Sequence, residues 1–183
     1  PPIWKILIVF STINKNSNSI DYVSFLKSKG INKCLLLEDN LLLRKKIFSI
    51  LKDNEINLIT YIHPSSFIGD FTSIGEGSVI FPNCYLGYKS DIGCSTIIQS
   101  SSTIEHHNSI GSFCNICPRL TTGGFTLVDD LVEIMMSVDI INKVKIDSIC
   151  KIGAGSLVMN NCESNYLYYG RPAKKIRTYE INY

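Results

Sequence analysis

The sequence lacks the features that would assign it quickly to a broad class. Its 183 residues carry 18 basic against 16 acidic side chains, a net charge of +2. That is too slight an imbalance to argue for a nucleic-acid partner. No apolar run reaches transmembrane length, and the first residues do not read as a signal peptide. Only three histidines are present, His63, His106 and His107. Over residues 62–158 neither the helical period nor strand alternation organises the apolar residues. Seven cysteines point toward a disulfide scaffold, but their number is odd, and Cys84, Cys114 and Cys150 share a small, regularly recurring slot. A reducing, cytosolic setting is expected instead. Pro1-Pro2 stands where an initiator Met would, so the natural start is expected upstream. The length and an apolar fraction of 45% suit one domain with a small appendage.

What organises the chain is a step of six. The stops run Ile62, Ile68, Ile74, Ile80, Leu86, Ile92, Ile98, Ile104, Ile110 and Ile116. They continue through Thr122, Val128, Ile134, Ile140, Ile146, Ile152 and Val158, with no insertion or deletion. Sixteen of the seventeen are branched aliphatics, which leaves Thr122 as the exception. Two residues before a stop the side chain is usually small, as at Ser66, Ser78, Cys84, Thr96, Ser102, Cys114 and Cys150. Glycine often follows the stop. This is a hexapeptide repeat, a signature of a parallel β-helix. Residues of equal parity on a strand share a face, so the stop and its small partner point inward. Glycine past the stop is expected to supply a corner with unusual dihedrals. Three edges per coil make residues recur every eighteen positions. Ile62, Ile80, Ile98, Ile116, Ile134 and Ile152 should form one internal ladder in roughly five coils.

The flanks read differently. Lys5–Phe10, Cys34–Leu37 and Asn57–Tyr61 are apolar strands. Asp21–Lys29 reads as a helix with Tyr22, Val23, Phe25 and Leu26 inward, and Leu41–Leu51 as a second with Arg44, Lys45 and Lys46 outward. A small β-α-β-α-β (Rossmann-like) subdomain is therefore expected over residues 1–61. The β-helix is expected over residues 62–158 and a tail over residues 159–183. The tail begins irregularly at Asn160–Asn165, then runs through Tyr166-Leu167-Tyr168-Tyr169 into Gly170-Arg171-Pro172-Ala173-Lys174-Lys175-Ile176.

The hexads, the head, Tyr61-Ile62-His63-Pro64-Ser65 and the Gly-Arg-Pro-Ala-Lys-Lys-Ile tail resemble the bacterial hexapeptide-repeat sugar acetyltransferases. The sialic acid O-acetyltransferases and nucleotide-activated amino-sugar N-acetyltransferases are the nearest group. The resemblance implies a left-handed helix, although crossovers between parallel strands are normally right-handed. It also implies a cytoplasmic homotrimer with active sites between chains, acting in lipopolysaccharide or capsule biosynthesis. Acetyl-CoA would be the co-substrate, and a sugar or nucleotide sugar the acceptor.

The same resemblance assigns roles within Ile104-Glu105-His106-His107-Asn108. His106 is the general base, and Glu105 fixes its tautomer. His107 stands where relatives carry a second acid, a departure from their pattern. Gly124, one coil later, supplies a backbone N–H to the thioester carbonyl and thus to an oxyanion. Asn115 stands where many relatives place a second histidine near the acceptor. Ser11, Thr12 and Asn14 follow the first strand where relatives carry a glycine-rich phosphate turn. With no glycine there, UDP-linked acceptors are expected to bind weakly. Met135, Gly153, Ala154, Arg171 and Lys174 fall on the coenzyme side, and Met135-Met136 replaces a usual glycine.

No metal is expected. A zinc site on such a helix needs three converging histidines, and adjacent ones at a corner diverge. Two other readings remain open: a sialic acid-type O-acetyltransferase, and a non-catalytic homologue that binds a sugar or partner.

Overall fold

Each hexad becomes a two-residue strand followed by a four-residue corner. The computed structural model describes residues 7–10 and 19–181. From Tyr61–Ile62 to Leu157–Val158, seventeen such strands wind through about six coils. They stack in parallel into three sheets, one per edge of the coil. Ile62 lies on Ile80, then Ile98, Ile116, Ile134 and Ile152 follow in register, and Tyr168 continues the column. The expected ladder is present. Ile80, Ile98, Ile116, Ile134 and Ile152 are fully buried, each contributing roughly 1.5–3 kcal/mol relative to exposure. Ile62, at the open end, remains exposed.

The small inward residues have a second task. Ser78 Oγ donates to Gly93 O at 2.6 Å and accepts from Thr96 N at 3.0 Å, which ties neighbouring coils from inside. A buried hydroxyl costs little when paired in this way. Cysteines in this slot are inert: burial pushes the Cys114 thiol up to about 12.

The corners differ from expectation. Positive φ falls on the third residue after the stop, as at Phe71 (59°), His107 (56°) and Phe125 (60°). The glycine directly after the stop answers a packing need. A Cβ on Gly69 would lie 2.7 Å from Tyr88 N and 2.9 Å from Gly87 C, so stacked corners could not approach.

Residues 160–165, read as irregular, extend the last coil, since Cys162 is buried and bridges Ile146. Tyr166–Gly170 then joins the sheet beside Lys151–Ile152 and pairs antiparallel with Ala173–Thr178.

The head contains β1 (Leu7–Phe10), α1 (Ser19–Ser28), β2 (Lys33–Leu37), α2 (Leu41–Asp53) and β3 (Asn57–Leu58). Its strands form a parallel sheet in the order β1-β2-β3. Tyr61 already belongs to the first coil. On α1, Val23 and Leu26 are buried, but Phe25 is 48% exposed rather than inward. The helix has one narrow buried stripe, and Phe25 lies off it. α2 starts where the Asn40 side chain accepts from Leu43 N at 3.0 Å. Its buried residues Leu41, Arg44, Ile47 and Leu51 follow helical spacing. Arg44, expected outside, is 0% exposed. The head docks through Phe48, edge-on to Phe113 at 5.4 Å, and through Leu41 against Phe113 and Leu131. Lys52 pairs with Glu76 at 2.8 Å, and Glu76 also accepts from Leu58 N.

Candidate active site

The corner Glu105–Asn108 joins the strands Thr103–Ile104 and Ser109–Ile110. Ile104 points inward at the end of its strand, and the corner that begins at Glu105 turns the chain so that His106 is exposed on the outside. Register from Thr103 to Thr121 brings Gly124 onto His106. A Cβ at Gly124 would lie 2.6 Å from His106 Cε1 and 2.9 Å from Nε2. The imidazole therefore rests directly on bare backbone. Gly124 O accepts from Lys143 N, while its N–H makes no hydrogen bond among the described residues.

His106 Nδ1 lies 3.0 Å from His107 Nδ1. Such a contact needs one protonated and one bare nitrogen. With the proton on His106 Nδ1, its Nε2 is left with the lone pair. His107 is held by ring contacts, stacked on Phe125 at 4.8 Å and 12° and edge-on to Tyr88 at 5.6 Å. Phe125 also meets His106 edge-on at 5.4 Å. Neighbouring Phe71 extends this aromatic wall through Tyr88. Glu105 is half-buried, and its carboxylate makes no hydrogen bond to either imidazole among the described residues.

Asn115 belongs to a different assembly. Its Oδ1 accepts from Arg44 Nη1 at 2.6 Å, and its Nδ2 donates to Asp39 O at 2.7 Å. Arg44 Nη1 also donates to Glu38 O at 2.6 Å, and Nη2 to Cys114 O at 2.9 Å. The guanidinium is thus a rivet between head and solenoid. Burial pulls its pKa down to about 10, against support from Asp39 and Glu38. No hydrogen bond or ring contact joins Asn115 to His106 within the chain, among the described residues. Beside Asn115, a cleft of about 360 Å³ opens between Asp39–Leu41, Glu133 and Tyr179–Ile181. Tyr179 donates to Glu133 at 3.1 Å, and Lys151 pairs with the same carboxylate at 2.7 Å. The rivet and the cleft went unread in the sequence. The 41/44/47/51 spacing was the signal for Arg44, overridden by its charge.

Met135 and Gly153 stack at a different corner, since Met135 N donates to Ile152 O. Gly153 leaves room for the Tyr169 ring, which a Cβ there would strike. Ala154 is exposed. Arg171 pairs with Asp139 at 2.9 Å and donates to Gly155 O at 3.2 Å. Lys174 is exposed, whereas Lys175 is engaged by Glu163 at 2.6 Å and lies over Tyr166. Ser11, Thr12 and Asn14 lie outside the described residues. Cys117 is half-buried, and burial together with the Glu133 carboxylate raises its thiol, against a nucleophilic role. No group of three His, Cys, Asp or Glu gathers for a metal among the described residues.

No protein-family model matches the sequence. The perosamine N-acetyltransferase PerB from Caulobacter crescentus, in complex with CoA and GDP-perosamine, superposes with a TM-score of 0.83. The two are 24% identical, and the match covers 85% of this chain and 75% of that one. The chain is a left-handed β-helix of the hexapeptide-repeat type. The acetyltransferase domain of PglB from Neisseria gonorrhoeae, in complex with acetyl coenzyme A, shares this β-helix with a TM-score of 0.79 and 20% identity. That match covers 84% of this chain and 76% of the domain. By sequence, a bifunctional protein GlmU from Clostridium kluyveri is 25% identical over 168 residues, covering 75% of this chain. A GDP-perosamine N-acetyltransferase from Escherichia coli O157:H7 is 25% identical over 88 residues, or 48% of this chain. The hexapeptide-repeat chain spans only 37% and 40% of those two proteins' lengths.

Proposed function

We propose that this chain transfers the acetyl group of acetyl-CoA to an amino group of a nucleotide-activated sugar. The observation that carries the reading is the exposed His106 imidazole seated on the bare backbone of Gly124, beside an unengaged N–H. His106 Nε2 takes the proton of the acceptor nitrogen as it attacks the thioester carbonyl; the C–S bond of the tetrahedral intermediate then breaks, and the proton passes from His106 to the departing CoA thiolate. Gly124 N–H donates to the oxygen on which charge collects. His107 Nδ1 holds the Nδ1 proton of His106, a neutral acceptor in the place of the relatives' acid. Glu105 supplies nearby negative charge to the corner. Attack is direct: Cys117 stands at the corner of Met135 rather than that of His106, and burial raises its thiol. The binding partners named for the solved neighbours support both substrates.

The acceptor side is assigned to the head, residues 1–61. β1 and β2 run parallel, so Phe10 and Leu37 end at the same carboxyl edge, where ligands of α/β sheets bind. The cleft at Asp39–Leu41 opens there, and Asn115 braces its rim. Arg171, Lys174, Ala154, Gly153 and Met135 form the coenzyme side, with the cationic pair toward its phosphates. The working unit is a homotrimer in which a neighbour completes each groove, serving surface-glycan assembly in the cytoplasm. Among the described residues no helix is long and apolar enough to cross a membrane.

The test is thiol release from acetyl-CoA with GDP-perosamine or another nucleotide-linked amino sugar, with the product weighed by mass spectrometry. His106→Ala should lower kcat about 10²–10⁴-fold while leaving acetyl-CoA binding nearly unchanged. Absence of transfer to every amino and hydroxyl sugar offered would reject the reading in favour of a binding homologue. A monomer by light scattering at micromolar concentration would reject the shared groove.

A further inference from the structure

The solenoid is held at its corners by one recurring bond. The N–H of the residue after a stop donates to the carbonyl of the stop one coil on. Gly87 N to Ile104 O (2.7 Å), Gly111 N to Val128 O (2.7 Å) and Gly123 N to Ile140 O (2.8 Å) are examples. From His63 to Ile141 thirteen of fourteen corners obey, and the exception is Glu105. Its N–H turns to the side chain of Thr122, donating to Oγ1 at 3.1 Å. Strand pairing confirms the break. Thr103 faces Thr121, but the register does not extend to Ile104 and Thr122, as it does in the coils on either side.

The same Thr122 oxygen accepts from Asn108 Nδ2 at 2.6 Å, and Asn108 Oδ1 accepts from Thr126 N at 2.6 Å. Thr122 and Asn108 are each 2% exposed. Ser90, one coil earlier in the column of Asn108, instead donates to the backbone at Glu105 O. One buried hydroxyl therefore grips both ends of the four-residue corner, Glu105 and Asn108. His106 and His107 stand between those two anchors. The cost is a regular ladder bond, given up only at the corner that carries the imidazole pair.

We propose that Thr122 is a positioning residue, which acts through Glu105 N–H and Asn108 to set the His106–His107 pair over Gly124. It touches no substrate. Its effect on turnover rests on the acetyl-transfer reading, whereas its effect on the histidine geometry does not. An aliphatic stop would restore the ordinary bond to the carbonyl at position 122 and leave Asn108 Nδ2 without its acceptor, so the corner would settle into the common shape.

The experiment compares wild type, Thr122→Val, Thr122→Ser and Asn108→Ser by ¹⁵N-edited imidazole spectra and by kinetics. Valine serves as a stop at Val128 and Val158, so the fold should tolerate it. In wild type one histidine Nδ1 should be protonated and the other bare. Thr122→Val should abolish that pattern and lower kcat on the order of 10²-fold, the scale of a misplaced reacting group, with little change in KM for acetyl-CoA. Thr122→Ser should restore the spectrum and most of the rate. A Thr122→Val protein with native histidine spectra overturns the proposal whether or not the wild type is active. Wild-type protein with the paired pattern but no acetyl transfer overturns the functional reading alone. Should Thr122→Val fail to fold, Asn108→Ser carries the test. It should lose the pairing, and native spectra there would equally refute the bracket.

Discussion

Gly124→Ala isolates geometry from hydrogen bonding at the candidate site. Alanine keeps the N–H assigned to the oxyanion, and Gly124 has no positive φ to forbid a side chain. The added Cβ would lie 2.6 Å from His106 Cε1, 2.9 Å from Nε2 and 3.1 Å from Nδ1. Ordinary carbon contacts are about 3.5–4 Å, so the ring must retreat by about 1 Å. Because His106 is exposed, it can retreat without disturbing the core, and stability should change by less than about 0.5 kcal/mol. A displacement of that size at the reacting group costs on the order of 10²-fold in rate. Steady-state kinetics with saturating acetyl-CoA would read the loss in kcat, and thermal unfolding would show the fold intact. The Nδ1–Nδ1 contact with His107 should weaken in parallel. Full activity in Gly124→Ala would mean that the ring position over this backbone is irrelevant to turnover, and the assignment of His106 as base would fall with it.

His107→Ala should reduce kcat less than His106→Ala, since the proposed mechanism has His107 orient rather than transfer a proton; purified variants assayed side by side decide this. Arg44→Met removes the donors to Glu38 O, Cys114 O and Asn115 Oδ1. It should lower stability by about 2–4 kcal/mol in urea unfolding, and a change below about 0.5 kcal/mol would refute the rivet. Glu76 is held below its ordinary pKa chiefly by the hydrogen bond from Lys52. Its folded pKa is depressed, so the stability it contributes is present above the unfolded value and is lost as pH falls through the folded one. Glu76→Gln should therefore be less stable than wild type at pH 7 and indistinguishable from it at pH 2, by thermal unfolding across that range.

The solenoid was legible in the linear sequence because its code is local. Each hexad states its own inward residue, and eighteen-residue spacing alone fixes that Ile80 sits on Ile98. The same arithmetic placed Gly124 on His106. Misreadings came where an outcome depended on atoms from distant segments. Arg44 was read as solvated from its charge, yet carbonyls at Glu38 and Cys114 and the amide of Asn115 surround it. The corner glycines were credited with unusual dihedrals, when the constraint comes from the coil stacked above.

The sequence by itself therefore determined the repeat, the internal ladder, the order of elements in the head and the corner on which the histidines stand. Periodicity carries that information without knowledge of the third dimension. Only the tertiary structure decided that His107 rather than Glu105 meets His106 Nδ1, that Asn115 is gripped by the head, and why Thr122 is polar. The first depends on the directions of two adjacent side chains, and the others on hydrogen-bond partners 14 to 76 residues away, which no local pattern encodes.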